Sequence, residues 1–417
     1  MCATPKNFGL LLLFIPMTIS GKNLRHFGAT ALISAVLAGC SAHSPPKPDE
    51  AKVKQFVGQG YLTDDHFAVA TTYATWTAGN ESYDVALTIP TKTSSFPLVI
   101  YLPALGEPRS AGEAWRTAWA QGGYAVLSLQ PLAEDGGAWS SAKARAGDFA
   151  SLARERYSAK AMAARLAVLQ GAWQELSRRQ ARREAPLERI DMTRVAIAGY
   201  DLGAYTAMVI AGEHLRGLTL PALPMPVRAV IAMSPHADFS GIALSARYRA
   251  IATPVLSVTS DDDWDTAGLG TAPSIRRAPF EYMPPGDKYL LTMSGLSHSV
   301  LAGGTVEASG EDLRPAESHK SEGLGRSSGG GHGGHHFGDH GGHGTAGGEA
   351  RQGEQERSGS PARASLSPTA RAIGMAAIQG VSTAFLDAYV KRDAIAQEWL
   401  DKDAKRWLGE RGEIKKR

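Results

Sequence analysis

The sequence predicts an α/β domain built on a mostly parallel sheet with helices on both faces. Three observations carry this. Phe96–Leu102 (FPLVIYL) is a continuous apolar run bounded by turn residues, the pattern of a strand buried on both faces. Apolar strand-like runs then alternate with helix-like segments from Phe96 to Met293. Before them, from about Phe67 to Pro90, apolar and polar residues alternate as in an antiparallel hairpin. A hydrophobic content of 43% is enough for one well-packed domain.

The elements follow in order. After the hairpin and the FPLVIYL strand come a helix over Ala111–Gln121, a strand over Tyr124–Leu129 and a long helical region from about Ala142 to Arg182. Thr193–Ala198 is the next strand and Ala204–Glu213 the next helix. Val227–Met233, Pro254–Thr259 and Lys288–Met293 complete the strands. Ala302–Pro368 breaks the pattern: rich in Gly, Ser and charge, it lacks the apolar surface to offset its ordering entropy and reads as a disordered insertion. Order is expected to resume near Thr369 with two helices, Ile373–Tyr389 and Ala394–Trp407, the first burying Ala376, Ile378, Val381, Phe385 and Tyr389 as an apolar stripe. The domain is thus expected over 56–301 and 369–417. The basic end, Lys405 to Arg417, reads as a solvated helix terminus.

The N-terminal segment has a different character. Lys22, Arg25 and His26 precede the apolar run Gly28–Cys40, which is too short to span a bilayer and has the length of a signal-peptide core. Leu37-Ala38-Gly39-Cys40 resembles the lipobox of bacterial lipoproteins, which implies acylation of the Cys40 thiol and a membrane anchor. Met17 then fits as the start codon, and Ser41, not aspartate, after the cysteine favours the outer membrane, facing the periplasm. Residues 41–55 read as a polar tether. The other cysteine is Cys2, so no disulfide framework is available to the domain. Mixed charge summing to +3 argues against a nucleic-acid partner; the expected partners are a small-molecule substrate and, through the anchor, a membrane.

The sharpest chemical signal is Gly199-Tyr200-Asp201-Leu202-Gly203, set directly between an apolar strand and an Ala-rich helix. A G-x-Nu-x-G turn at such a junction holds its central residue in a strained conformation, with glycines where side chains would clash. Downstream, Pro254–Thr259 runs into an acidic cluster in which Asp263 is the first choice for a triad acid, Asp265 the second, and Asp238 after the preceding strand the third. His298 follows the last parallel strand. The order nucleophile, acid, histidine matches one known chain order of the catalytic triad. Backbone N–H groups of Leu105 and Leu202 are the expected oxyanion donors by position.

These segments resemble the bacterial branch of dienelactone-hydrolase-like and platelet-activating-factor-acetylhydrolase-like α/β-hydrolases. The similarity lies in PLVIYLPALGEPR, VAIAGYDLGAYTAM, AVIAMSPHADFSG, PVLSVTSDDDWD, PFEYMPPGDKYLL, GLSHSVLAG and STAFLDAYVKRDAIAQEWL. It implies the α/β-hydrolase fold and hydrolysis of an ester or lactone by a Ser or Cys nucleophile. The chain departs from that pattern twice: Asp201 stands at the nucleophile position, and Pro103-Ala104 replaces the usual His-Gly. Carboxylate attack on an ester carbonyl would give an anhydride, whereas attack on saturated carbon is sensible, as in haloalkane dehalogenases and epoxide hydrolases of this fold. Those commonly follow the aspartate with tryptophan, where this chain has Leu202, and no cap tyrosines are evident. Two expectations follow: a hydrolase acting on an ester, lactone or related small electrophile through Asp201, Asp263 and His298, or a protein of that fold without turnover, serving as a binding or envelope module.

Gly329–Gly344 (GGGHGGHHFGDHGGHG) holds His332, His335, His336, His340 and His343 in a glycine chain. Such a chain can wrap a divalent ion weakly, but its spacing matches no structural zinc site, so no cofactor is expected.

Overall fold

The computed structural model describes residues 46–417 except 64, 79–80, 222, 238–241, 266–270 and 305–365. Among the described residues one sheet of nine strands runs through the molecule. In chain order these are β1 (Val69–Ala78), β2 (Glu81–Pro90), β3 (Phe96–Leu102), β4 (Ala125–Leu129), β5 (Ile190–Tyr200), β6 (Val227–Met233), β7 (Val255–Ser260), β8 (Lys288–Met293) and β9 (Gly412–Lys416). Their spatial order is β1-β2-β4-β3-β5-β6-β7-β8-β9. β4, β3, β5, β6, β7 and β8 are mutually parallel, while β1, β2 and β9 join antiparallel at the two sides.

Alternation along β3 shows why both faces are covered. Leu98, Ile100 and Leu102 enter one core with the helices Ala159–Ala181 and Leu202–Ala211. Val99 and Tyr101 enter the other, against Glu113–Gln121 and Pro368–Leu386. Since successive side chains point to opposite faces, a strand apolar at every position needs two covering layers. Pro368–Leu386 and the turn after it are apolar and long enough to cross a membrane, yet 78% of that stretch is buried in the protein. Ala376, Ile378, Val381 and Phe385 are all buried in it, and Tyr389 packs at the edge of the same cluster.

Three elements differ from expectation. The segment read as a tether contains a helix, Glu50–Gly58, capped by Asp49, whose Phe56 stacks on Trp407 with ring centroids 4.4 Å apart. Phe56 is the one fully buried residue of this largely polar helix, with Val53 packed beside it, and the periodicity is correspondingly faint. The helical region 142–182 divides into Ala142–Arg145, Phe149–Arg156 and Ala159–Ala181, with Ser141, Asp148 and Ser158 as N-caps. The basic terminus is not a solvated helix end: after Ala404–Leu408 it becomes β9, which pairs with β8 from Met293↔Gly412 to Tyr289↔Lys416. As an edge strand, β9 exposes its lysines and buries only Ile414, which leaves it without the apolar pattern of an inner strand.

Candidate active site

β5 leads straight into the bend. Asp201 has φ 52° and ψ −109°, a region side-chain-bearing residues rarely adopt, costing on the order of 1–3 kcal/mol. The flanking glycines explain how the chain turns so sharply. A Cβ on Gly199 would lie closer than 3.0 Å to the backbone of Gly203, and one on Gly203 equally close to the carbonyl oxygens of Leu102 and Pro103. The Asp201 N–H donates to Met233 O at 3.0 Å, tying the bend to the end of β6. The Asp201 carboxylate does not cap the helix that begins at Leu202. It is buried, with the residue only 6% exposed.

Asp263 and His298 come together at the same sheet edge, from the loops after β7 and β8. Asp263 Oδ1 lies 2.7 Å from His298 Nδ1. Its Oδ2 accepts from Ser234 Oγ at 2.8 Å and Thr259 Oγ1 at 2.7 Å. Arg276 Nε lies 3.3 Å from Oδ1, and the same guanidinium donates to the carbonyls of Asp263 and Ser234. Burial alone would raise the Asp263 carboxyl; the His298 hydrogen bond and the Arg276 charge more than offset it and hold it ionised. The carboxylate paired with His298 is Asp263, not Asp265, whose N–H instead bonds Thr271 O at 3.3 Å. Asp238 lies outside the described residues. His298 packs on Tyr200, ring centroids 5.0 Å apart, and accepts the Tyr200 hydroxyl on its backbone carbonyl at 2.7 Å.

Among the described residues no hydrogen bond joins His298 to Asp201. Other groups hold the Asp201 carboxylate. His236 Nε2 hydrogen-bonds Asp201 Oδ1, forming a buried ion pair when the ring is protonated. Tyr157 Oη lies 3.1 Å from Asp201 Oδ2 and 3.1 Å from His236 Nε2. Because an ionised carboxylate only accepts, the histidine nitrogen and the phenol must both donate to it. Thr271 Oγ1, 2.8 Å from Nδ1, engages the ring's far side. Burial would raise the Asp201 carboxyl; the charge and hydrogen bond of His236, helped by His298 and Arg276, carry it instead well below the usual carboxylate range. Burial and the Asp201 charge push the Tyr157 phenol up, which keeps it a donor.

Sequence reasoning passed over both of these residues. His236 stands three residues beyond β6, where the sheet edge gathers its loops, and that position was a legible signal. Its segment is fixed by Arg247, which donates to the carbonyls of His236 and Ala237 and pairs with buried Glu213 at 2.5 Å. Tyr157 sits between the helices Phe149–Arg156 and Ala159–Ala181, so this helical region sends a tyrosine hydroxyl to the Asp201 carboxylate. Tyrosines are common enough in helical stretches that nothing in the local pattern marked this one.

The bend also meets the loop after β3, which carries Leu105; Leu202 opens the helix on the other side. This loop is closed by Glu107, whose N–H donates to Ala104 O at 3.2 Å and whose Oε2 accepts the Ala104 N–H at 2.9 Å. Gln130 braces the loop through Nε2, bonding Ala104 O at 2.9 Å and Glu107 O at 3.0 Å. Burial pushes the Glu107 carboxyl up to about 7, with the Ala104 N–H opposing and the Asp201 charge adding. Among the described residues no three His, Cys, Asp or Glu side chains are grouped to hold a metal ion. His332, His335, His336, His340, His343 and Cys40 lie outside the described residues.

No protein-family model matches the chain, and no curated protein matches it.

Proposed function

We propose that this is a hydrolase of the α/β-hydrolase fold that acts on a small electrophile through a covalent Asp201 intermediate. The observation that supports it most is the convergence of an ionised carboxylate on a strained strand-to-helix bend with an Asp263–His298 pair beside it. A carboxylate already ionised needs no base to attack. Its natural target is a saturated carbon bearing a displaceable group, since an ester so formed is hydrolysable whereas an anhydride is a costly intermediate. His298, oriented by Asp263, then takes the proton of the water that cleaves the ester. Leu105 and Leu202 supply backbone donors beside the bend.

A second reading has its own support. Both Asp201 oxygens already accept hydrogen bonds, from a fully buried histidine and a buried tyrosine. A carboxylate committed in this way is also what a binding or envelope module without turnover would contain. Mass spectrometry of His298→Gln separates the two. After incubation with styrene oxide or butyl bromide, the hydrolase reading expects an adduct on the Asp201 peptide, because attack proceeds and water activation does not. An unmodified peptide with both reagents leaves the binding reading.

Attachment to the bacterial envelope through an acylated Cys40 is part of the same proposal, on the strength of the LAGC segment and the apolar run before it.

A further inference from the structure

His236 is the buried titratable group nearest the reacting carboxylate that the reaction as outlined does not use. It is 1% exposed and reaches no solvent, and each ring nitrogen is committed: Nε2 to Asp201 Oδ1, Nδ1 to Thr271 Oγ1. The two Asp201 oxygens are therefore unequal. Oδ1 carries a charge-assisted bond from an imidazole, whereas Oδ2 carries the hydroxyl of Tyr157 at 3.1 Å. The second partner is the weaker and the more easily displaced by substrate. Oδ2 is accordingly the attacking oxygen, and Oδ1 the one that becomes the carbonyl oxygen of the aspartyl ester.

We propose that His236 is a catalytic residue of the second half-reaction, the side-chain oxyanion donor to Oδ1 of Asp201. In the first half, Oδ2 forms a bond to the substrate carbon and the displaced group leaves with its electron pair. In the second, His298 takes a proton from water, the hydroxide oxygen bonds to Asp201 Cγ, and the carbonyl pair moves onto Oδ1. That developing charge falls on the atom His236 Nε2–H already contacts. Collapse returns the pair, breaks the Cγ–Oδ2 bond and expels the product alkoxide, which takes the proton from His298. The water's second proton, left on the Asp201 carboxyl, passes to solvent as the carboxylate re-forms, or with an epoxide balances the alkoxide opened in the first half. Such donors act because they are aimed before charge develops. Thr271 holds the imidazole from the far nitrogen, as an orienting partner does.

The proposal rests on the covalent reading above, and its test is arranged so that the two fail separately. Wild type, His298→Gln, His236→Phe and His236→Gln are mixed with styrene oxide and with butyl bromide, and adduct formation and clearance are followed by rapid quench and mass spectrometry. His236→Phe is expected to clear the adduct about 100- to 1000-fold more slowly, whereas its alkylation, slowed because the imidazole no longer offsets the burial of Asp201, is expected to recover toward the wild-type rate as pH is raised. His236→Gln, which keeps an N–H donor, is expected to recover much of the clearance rate. Should His236→Phe fail to fold, Thr271→Val is expected to slow clearance about 10- to 100-fold with alkylation unchanged. Clearance at the wild-type rate, or alkylation that stays lost in step with clearance as pH is raised, would overturn the role of His236 alone. No adduct in His298→Gln overturns the covalent reading and this inference with it.

Discussion

At the scale of single residues, two carboxyls beside the bend, Asp201 buried and Glu107 partly so, have opposite pH signatures. The Asp201 carboxyl is held below its ordinary value, so its contribution to stability is present above about pH 4 and is lost as pH falls toward its folded value. Asp201→Asn is expected to flatten that acid limb in urea titrations and to abolish turnover, because an amide can neither attack nor be regenerated. The Glu107 carboxyl is raised from 4.5 to about 7, so the folded state binds its proton more tightly. Its stabilisation is complete below pH 4.5 and disappears as pH rises through 7. Glu107→Gln is therefore expected to be more stable than wild type at pH 8, by about 3 kcal/mol at most, with the gap closing by pH 4. Equal stabilities across that range in urea denaturation would contradict the burial argument. Asp201, Asp263 and His298 were legible because each follows a strong apolar strand at a sheet edge. Tyr157 and His236 were harder, since their roles depend on long-range packing that brings residues 157, 201, 236 and 271 to one point.

At the scale of elements, the bend and the loop behind it decide the geometry. Gly203→Ala would drive a Cβ into the carbonyl oxygens of Leu102 and Pro103, backbone atoms that cannot swing aside. A loss of about 3 kcal/mol or more is expected, with the bend displaced from β3; chemical denaturation measures it. Arg247 is the corresponding support for the His236 segment. Arg247→Met leaves Glu213 buried without its partner, and the expected loss is about 3–5 kcal/mol. A double variant, Arg247→Met with Glu213→Leu, is expected to recover part of it, since the orphaned charge goes with its partner. Strand positions were read closely from sequence: Val227–Met233 and Lys288–Met293 coincide with β6 and β8. Elements anchored by a few apolar contacts were not. The Glu50–Gly58 helix depends on Phe56 against Trp407, a contact across the whole chain length that no local periodicity announces.

At the scale of the whole molecule, the parallel strands bring the loops after β3, β5, β6, β7 and β8 together at one edge of the sheet. β9 forms one edge of the sheet, and the helices from Pro368 onward cover one of its faces. Export belongs to this scale as well: Cys40→Ser is expected to abolish incorporation of labelled palmitate in bacterial cells, and undiminished labelling would contradict the anchor. If water opens an ester on Asp201 Cγ, each turnover exchanges one carboxylate oxygen with solvent. Wild-type protein should therefore turn over styrene oxide or butyl bromide in heavy-oxygen water and yield an Asp201 peptide enriched in the heavy isotope. Turnover with an unlabelled Asp201 and label only in the product would mean that water attacks the substrate directly, and the covalent account would be wrong.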